Sequence, residues 1–211
     1  MNYFSYVVEH DYGLAPNPFG GYCTLAVCKP AIRKNKNLEL GDWIIGTGSK
    51  KLSRLNHLIY AMQVEEKITF DEYWNNPRFH YKRPIINGSL VQMYGDNFYH
   101  KDEQTNEWIQ EPSAHSTVNK EKHTKTDTSA DSVLISRNFY YLGDNSIEIP
   151  EDFSIFCKKG PGMKYKDLNE VGEEFITWVI TNPNIKKGIG GDPISWIEHE
   201  SEHNQINLQL F

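Results

Sequence analysis

The chain has 211 residues, of which 38% are hydrophobic and 24% charged, with a net charge of −6 and five Trp, twelve Tyr and ten Phe. A globular protein of one generous domain, able to bury a sizeable core, has this composition, and no run reaches the roughly 18 apolar residues of a membrane helix. The acidic balance argues against a generic nucleic-acid coat, yet residues 1–60 hold seven Lys or Arg against four acids, which leaves the N-terminal third open to a phosphate-bearing ligand.

Tyr3 to Val8 is a dense β-branched and aromatic run, read as a buried strand. Residues 9–21 then carry two Pro and three Gly, too many breakers for a helix or central strand. This long stiffened loop offers Asp11, Tyr12, Asn17, Phe19 and His10 beside a strand end, and such loops are often functional. Cys23 to Cys28 is small and apolar, and Pro30 opens a helix or ends a strand.

A Gly41-Asp42 turn launches Trp43-Ile44-Ile45, and a second apolar run spans Leu58 to Val64, so the two form a hairpin of core strands. Between them, Gly46 and Gly48 allow close approach of another molecule. Thr47 and Ser49 add hydroxyls, and Lys50, Lys51 and Arg54 add charge. A solvated basic loop is the alternative.

Thr69 followed by Glu72 is a capping box that starts a short helix near Phe70, ended before Pro77. Residues 75–87 interleave Arg78, His80, Lys82 and Arg83 with Phe79 and Tyr81, a mixture that suits nucleic acid or an ordinary surface loop. A polar insertion covers about 101–131, and Ser132 to Leu142 resumes as a strand. Asp167 with Glu170 reads as a second capping box, with Leu168, Val171, Phe175, Trp178 and Val179 on one helical face. The domain is read as 1–188, followed by an acidic tail, 189–211.

No Walker loop, dinucleotide fingerprint, nucleophile elbow or metalloprotease motif is present. Asp96, His100 and His115, or His199 with His203, are metal-ligand combinations spread over loops without neighbours placed to orient the imidazoles, and no metal or cofactor is expected. Cys23, between apolar neighbours, reads as a buried thiol rather than a nucleophile beside His10. Three cysteines without C-x-x-C spacing indicate neither a disulfide framework nor a zinc ribbon. Together with an N-terminus lacking a basic-then-apolar pattern, they lead to the expectation of a cytoplasmic protein.

The order of a first strand, a Pro-rich loop and a Gly41-Asp42 strand running toward Ser49 resembles the EVE domain of the PUA-like fold. The stretches DYGLAPNPF, CTLAVCKPAIR, GDWIIGTGSK, GDNFYH and VLIS resemble, over residues 3–142, the nucleotide-modification-associated domain 2 family found with bacterial and phage DNA-modification systems. The resemblance implies an α+β fold built on a PUA-like curved mixed sheet or small β-barrel with peripheral helices. It also implies handling of a modified base or nucleotide.

The reading reached is a base-binding domain. Tyr12, Phe19 or Trp43 would supply the stacking ring, Asp11, Asn17, Thr47 or Ser49 would meet the base edge, and Lys29, Arg33, Lys50 and Lys51 would meet phosphates. The expected partner is a nucleic acid, DNA before RNA, or a modified nucleotide. An enzyme using Asp11, His100 and His115 as acid or base is the second class. A non-catalytic component binding an operon-encoded protein through the acidic tail is the third.

Overall fold

Strand β1 (Tyr3–Val8) pairs in parallel with β3 (Trp43–Gly48), and β3 turns back antiparallel onto β4 (His57–Gln63), as the two apolar runs require. The computed structural model describes residues 1–114, 120–158, 160 and 162–197. The β3–β4 connection begins later than the glycines suggested, because Gly46, Thr47 and Gly48 are still strand. A Cβ at Gly46 would sit 2.3 Å from the Tyr60 ring, and one at Gly48 would sit 2.0 Å from the Arg54 carbonyl oxygen. These glycines admit the protein's own atoms, not another molecule's.

Strand β2 (Cys23–Leu25) leads into α1 (Pro30–Arg33), with Pro30 in the first helical turn where its missing N–H costs nothing. After β4 come β5 (Glu66–Ile68) and α2 (Phe70–Asn75), whose Thr69/Glu72 capping box is formed as predicted. A 3-10 helix (Pro77–Lys82) follows, then α3 (Leu90–Met93) with its own Ser89/Gln92 box. The expected insertion holds structure of its own: a β6 (Tyr99–Lys101) and β7 (Trp108–Gln110) hairpin, and α4 (Lys120–Asp127).

Residues 132–142 are two strands rather than one, β8 (Val133–Ser136) and β9 (Phe139–Tyr141), and they belong to different sheets. The corner between them is fastened by Glu65, whose Oε2 accepts the backbone N–H groups of Arg137 and Asn138. Short strands β10 (Ile147–Glu148) and β11 (Met163–Lys164) precede α5 (Gly172–Thr181), and β12 (Gly188–Ile189) follows it. Helix α5 starts later than the sequence suggested: Val171 is its N-cap, without a side-chain cap, and Asp167 with Glu170 forms no box. The ring of Tyr3 explains the close seat of the first turn, since a Cβ on Gly172 would lie 2.1 Å from it.

The main sheet runs β11-β1-β3-β4-β9-β12, with β10 beside β4; the second sheet is β2-β8-β5. Period-two alternation sends Phe4, Tyr6, Ile44 and Tyr141 to one face, against Cys23, Leu25 and Leu134 of the second sheet. Tyr3, Trp43, Ile45 and Tyr140 go to the other face, under Phe175, Ile176 and Val179 of α5. The outer face of the second sheet, with Val133 and Ile135, is covered by Phe70, Tyr73, Phe79 and Tyr99. The result is a layered mixed α+β fold, and among the described residues its sheets remain open, so the small-barrel expectation is corrected. No helix among the described residues is long and apolar enough to cross a membrane.

Residues 189–197, expected to begin a tail, are built into the domain. The Asp144 N–H donates to the Asp192 carbonyl and the Asp192 N–H to Asp144 Oδ1, and Trp196 stacks on Phe19 at 5.5 Å and donates its indole N–H to the Tyr12 carbonyl. Residues 198–211, with His199 and His203, lie outside the described residues.

Candidate functional site

At the carboxyl end of β1, beside its parallel neighbour β3, a cavity of about 300 Å³ is lined by Val8, Glu9, His10, Tyr12, Leu14, Ala15, Cys28 and Lys29. Ligands of open sheets with parallel strands collect at this end, and the volume is at the lower bound of small-molecule pockets. Its walls are the first half of the Pro-rich loop and the Cys28–Lys29 step.

That step is strained. Cys28 has φ of 56° and Lys29 φ of 42°, consecutive left-handed residues without glycine, a conformation that costs on the order of 1–3 kcal/mol per residue and persists only where its surroundings impose it. The surroundings are visible: Asp127 Oδ1 accepts the Cys28 N–H at 2.8 Å, and Arg33 Nε donates to the Cys28 carbonyl at 2.9 Å. Arg33 is fully buried, and three further N–H groups go to the carbonyls of Ala130, Ser132 and Asp127. It positions the strained step from inside the protein and is not among the residues lining the cavity, where a phosphate contact was expected of it.

Lys29 crosses the Tyr6 ring, with Nζ 4.7 Å from its centroid, and donates to the Val7 carbonyl at 3.2 Å. No carboxylate lies within 4 Å of this amine among the described residues. Burial lowers its pKa, with only partial opposition from Cys28 and Glu9. Tyr12 lies parallel to His10 at 5.8 Å and to Tyr94 at 5.1 Å, giving the cavity an aromatic side.

The other expected residues are placed as follows. Asp11 is 2% exposed: its carboxylate accepts the Tyr141 hydroxyl at 2.6 Å and the Ile194 N–H at 3.2 Å, so it latches residues 194–195 to the sheet. Burial pushes its pKa up to about 6, against those hydrogen bonds. Asn17 is turned away from the cavity into a buried network, where Lys82 Nζ donates to its side-chain and main-chain oxygens, to the Tyr22 carbonyl and to Thr24 Oγ1. Thr24 and Tyr73 in turn donate to Asp96, at 2.6 and 2.7 Å. Phe19 is taken by Trp196.

Trp43 stands at the opposite end of β3, about 16 Å along the strand from Gly48, and packs on Tyr140. Thr47 is buried and donates to the Tyr6 carbonyl. Ser49 donates to the Glu9 carbonyl and accepts the Leu52 N–H. Lys51 Nζ lies 2.7 Å from His10 Nε2, and Lys50 is exposed. The turn therefore braces the start of the loop without lining the cavity. Cys23 is fully buried, and burial pushes its thiol pKa up.

His100 is not brought to Asp11: it stacks on Trp74 at 4.3 Å and pairs with Glu111 at 3.0 Å on the second sheet's flank. His115 lies outside the described residues, which contain no group of three or more potential metal ligands. The groove around His100, about 630 Å³, is lined by Asp71, Asp102 and Glu103 against Lys101 alone, the wrong sign for nucleic acid.

Sequence reasoning missed Cys28, Leu14 and Ala15 as cavity lining. A lysine before a helix-opening Pro30 was visible, but nothing local announces two left-handed residues imposed by Arg33 and Asp127. No curated protein and no solved structure matches the chain. The family profile described as Nucleotide modification associated domain 2 matches residues 1–200, a span that holds the loop, the strained step and the segment closing over Asp11. The chain belongs to the nucleotide modification associated domain 2 family.

Proposed function

We propose that the cavity between the Pro-rich loop and Lys29 binds a nucleobase or nucleotide, and that the protein is the recognition component of a DNA-modification system. The observation that carries this reading is an amine without a carboxylate partner, set beside a parallel ring stack in one cavity at the end of β1. The amine meets an acceptor on the ligand, and the Tyr12 and His10 rings meet its flat face. The EVE-like order of the first strand, the Pro-rich loop and the Gly41-Asp42 strand supports a PUA-like relationship and a base-binding role at this end of the sheet. An acid–base enzyme built on Asp11 and His100 is disfavoured, because Asp11 is closed off by Tyr141 and Ile194 while His100 faces another groove.

The test is a titration of the full chain with deoxynucleoside monophosphates and short DNA, modified and unmodified. Loss of a charge-assisted contact is worth about 1.5–3 kcal/mol, so Lys29→Met is expected to weaken binding by roughly 10- to 150-fold. Tyr12→Ala is expected to weaken it by about 5-fold or more. Binding unchanged by both substitutions would refute the site.

A further inference from the structure

We infer that Lys29 is an imine-forming amine, and that the ligand class of this cavity is a base or nucleotide bearing an aldehyde. The inference rests on the pocket reading above and concerns what the pocket takes. A phosphate site gathers several positive groups or backbone N–H groups. Here one amine stands alone: Arg33 is consumed by carbonyls, α1 has four residues, and Lys50 and Lys51 are outside the lining. Glu9 shares the lining and offsets the charge, and Val8, Leu14 and Ala15 make much of the rest apolar. A phosphate dianion is poorly served by such walls, whereas a neutral polar carbonyl is well served, so the base of a nucleotide enters and its phosphate stays at the mouth.

The amine is also prepared for nucleophilic attack. Half-buried over the Tyr6 ring, it has one protein acceptor and, among the described residues, no carboxylate within 4 Å, and burial lowers its pKa against the opposing charge of Glu9, the condition under which lysines act as nucleophiles. The strained Cys28–Lys29 backbone fixes where the side chain starts, at a position its neighbours impose. In the step itself the Nζ lone pair attacks the carbonyl carbon, and a proton passes from nitrogen to the former carbonyl oxygen, giving a carbinolamine. Loss of water, carrying that oxygen and a second proton from nitrogen, leaves a C=N bond. Nothing is oxidised or reduced, and water reverses the reaction. Glu9 and His10 line the same cavity and are the groups placed to relay these protons.

The experiment incubates the full chain with 5-formyl-2′-deoxycytidine 5′-monophosphate and cyanoborohydride at pH 7, with intact-mass and peptide mapping. The expected result is one adduct per chain on Lys29, formed at least about ten-fold faster than on Lys50 or Lys51, suppressed by excess 2′-deoxycytidine 5′-monophosphate. Lys29→Arg is expected to lose the adduct, whereas Lys50→Arg, outside the lining, is expected to keep it, with both folds checked by thermal melting. Nucleotide binding with adducts spread evenly over Lys29, Lys50 and Lys51 would overturn the imine inference and leave the pocket reading standing. Neither binding nor a selective adduct would overturn both.

Discussion

Lys82 carries its charge inside the protein because four oxygen atoms surround it, and because Asp96 stands beyond Thr24. Burial lowers its pKa to about 8, which still leaves it charged at neutral pH. Lys82→Met would leave Asp96 buried without its counter-charge and is expected to cost about 3–5 kcal/mol in chemical denaturation. Asp11 works the other way: burial raises its pKa from 3.8 to about 6, so the folded state holds the proton more tightly than the unfolded chain. Its contribution to stability is full below pH 4 and is lost as pH rises through 6, an effect on the order of 3 kcal/mol. Asp11→Asn is expected to remove that part of the stability slope between pH 4 and 6, and an unchanged slope would show that other groups cause it. At this scale the residue types were legible and their directions were not. Asp11, Asn17 and Arg33 looked like ligand groups because they are polar residues near a loop, but each is held by partners far away in sequence: Ile194 for Asp11, Lys82 for Asn17 and Asp127 for Arg33.

Local chemistry decided some elements and long-range packing decided others. The Thr69/Glu72 box is closed by side chains three residues apart, so reading it needs no tertiary information. The same spacing at Asp167 and Glu170 forms nothing, because the chain there is held by Leu168 in the core and by Gly172 against Tyr3. Thr69→Ala is therefore expected to cost about 1 kcal/mol, and Asp167→Ala to stay within about 0.5 kcal/mol, in equilibrium unfolding. A comparable loss at Asp167 would contradict the observed helix start. The division of 132–142 between two sheets was hidden for a related reason: two β-rich runs, Val133 to Ile135 and Phe139 to Leu142, stand so close that they read as one strand, and the corner is made by Glu65, some seventy positions earlier.

Across the whole molecule, the layers place the carboxyl end of β1 where three distant segments meet: loop 9–21, the Cys28–Lys29 step and residues 192–197. The mixed α+β class implied by the family resemblance is the class observed. The meeting of the segments was not legible, since the closing strap was taken for a tail and the strained step depends on α4. The proposed function requires that this cavity, and not the acidic groove around His100 or the basic turn at Lys50, receives the ligand. Amide chemical-shift mapping of the full chain during titration with 2′-deoxycytidine 5′-monophosphate tests it most directly. The predicted result is a set of saturable shifts centred on Val8 to Ala15 and on Cys28 and Lys29; shifts centred on Asp71 to Ile109 or on Lys50 and Lys51, or none at all, would contradict it.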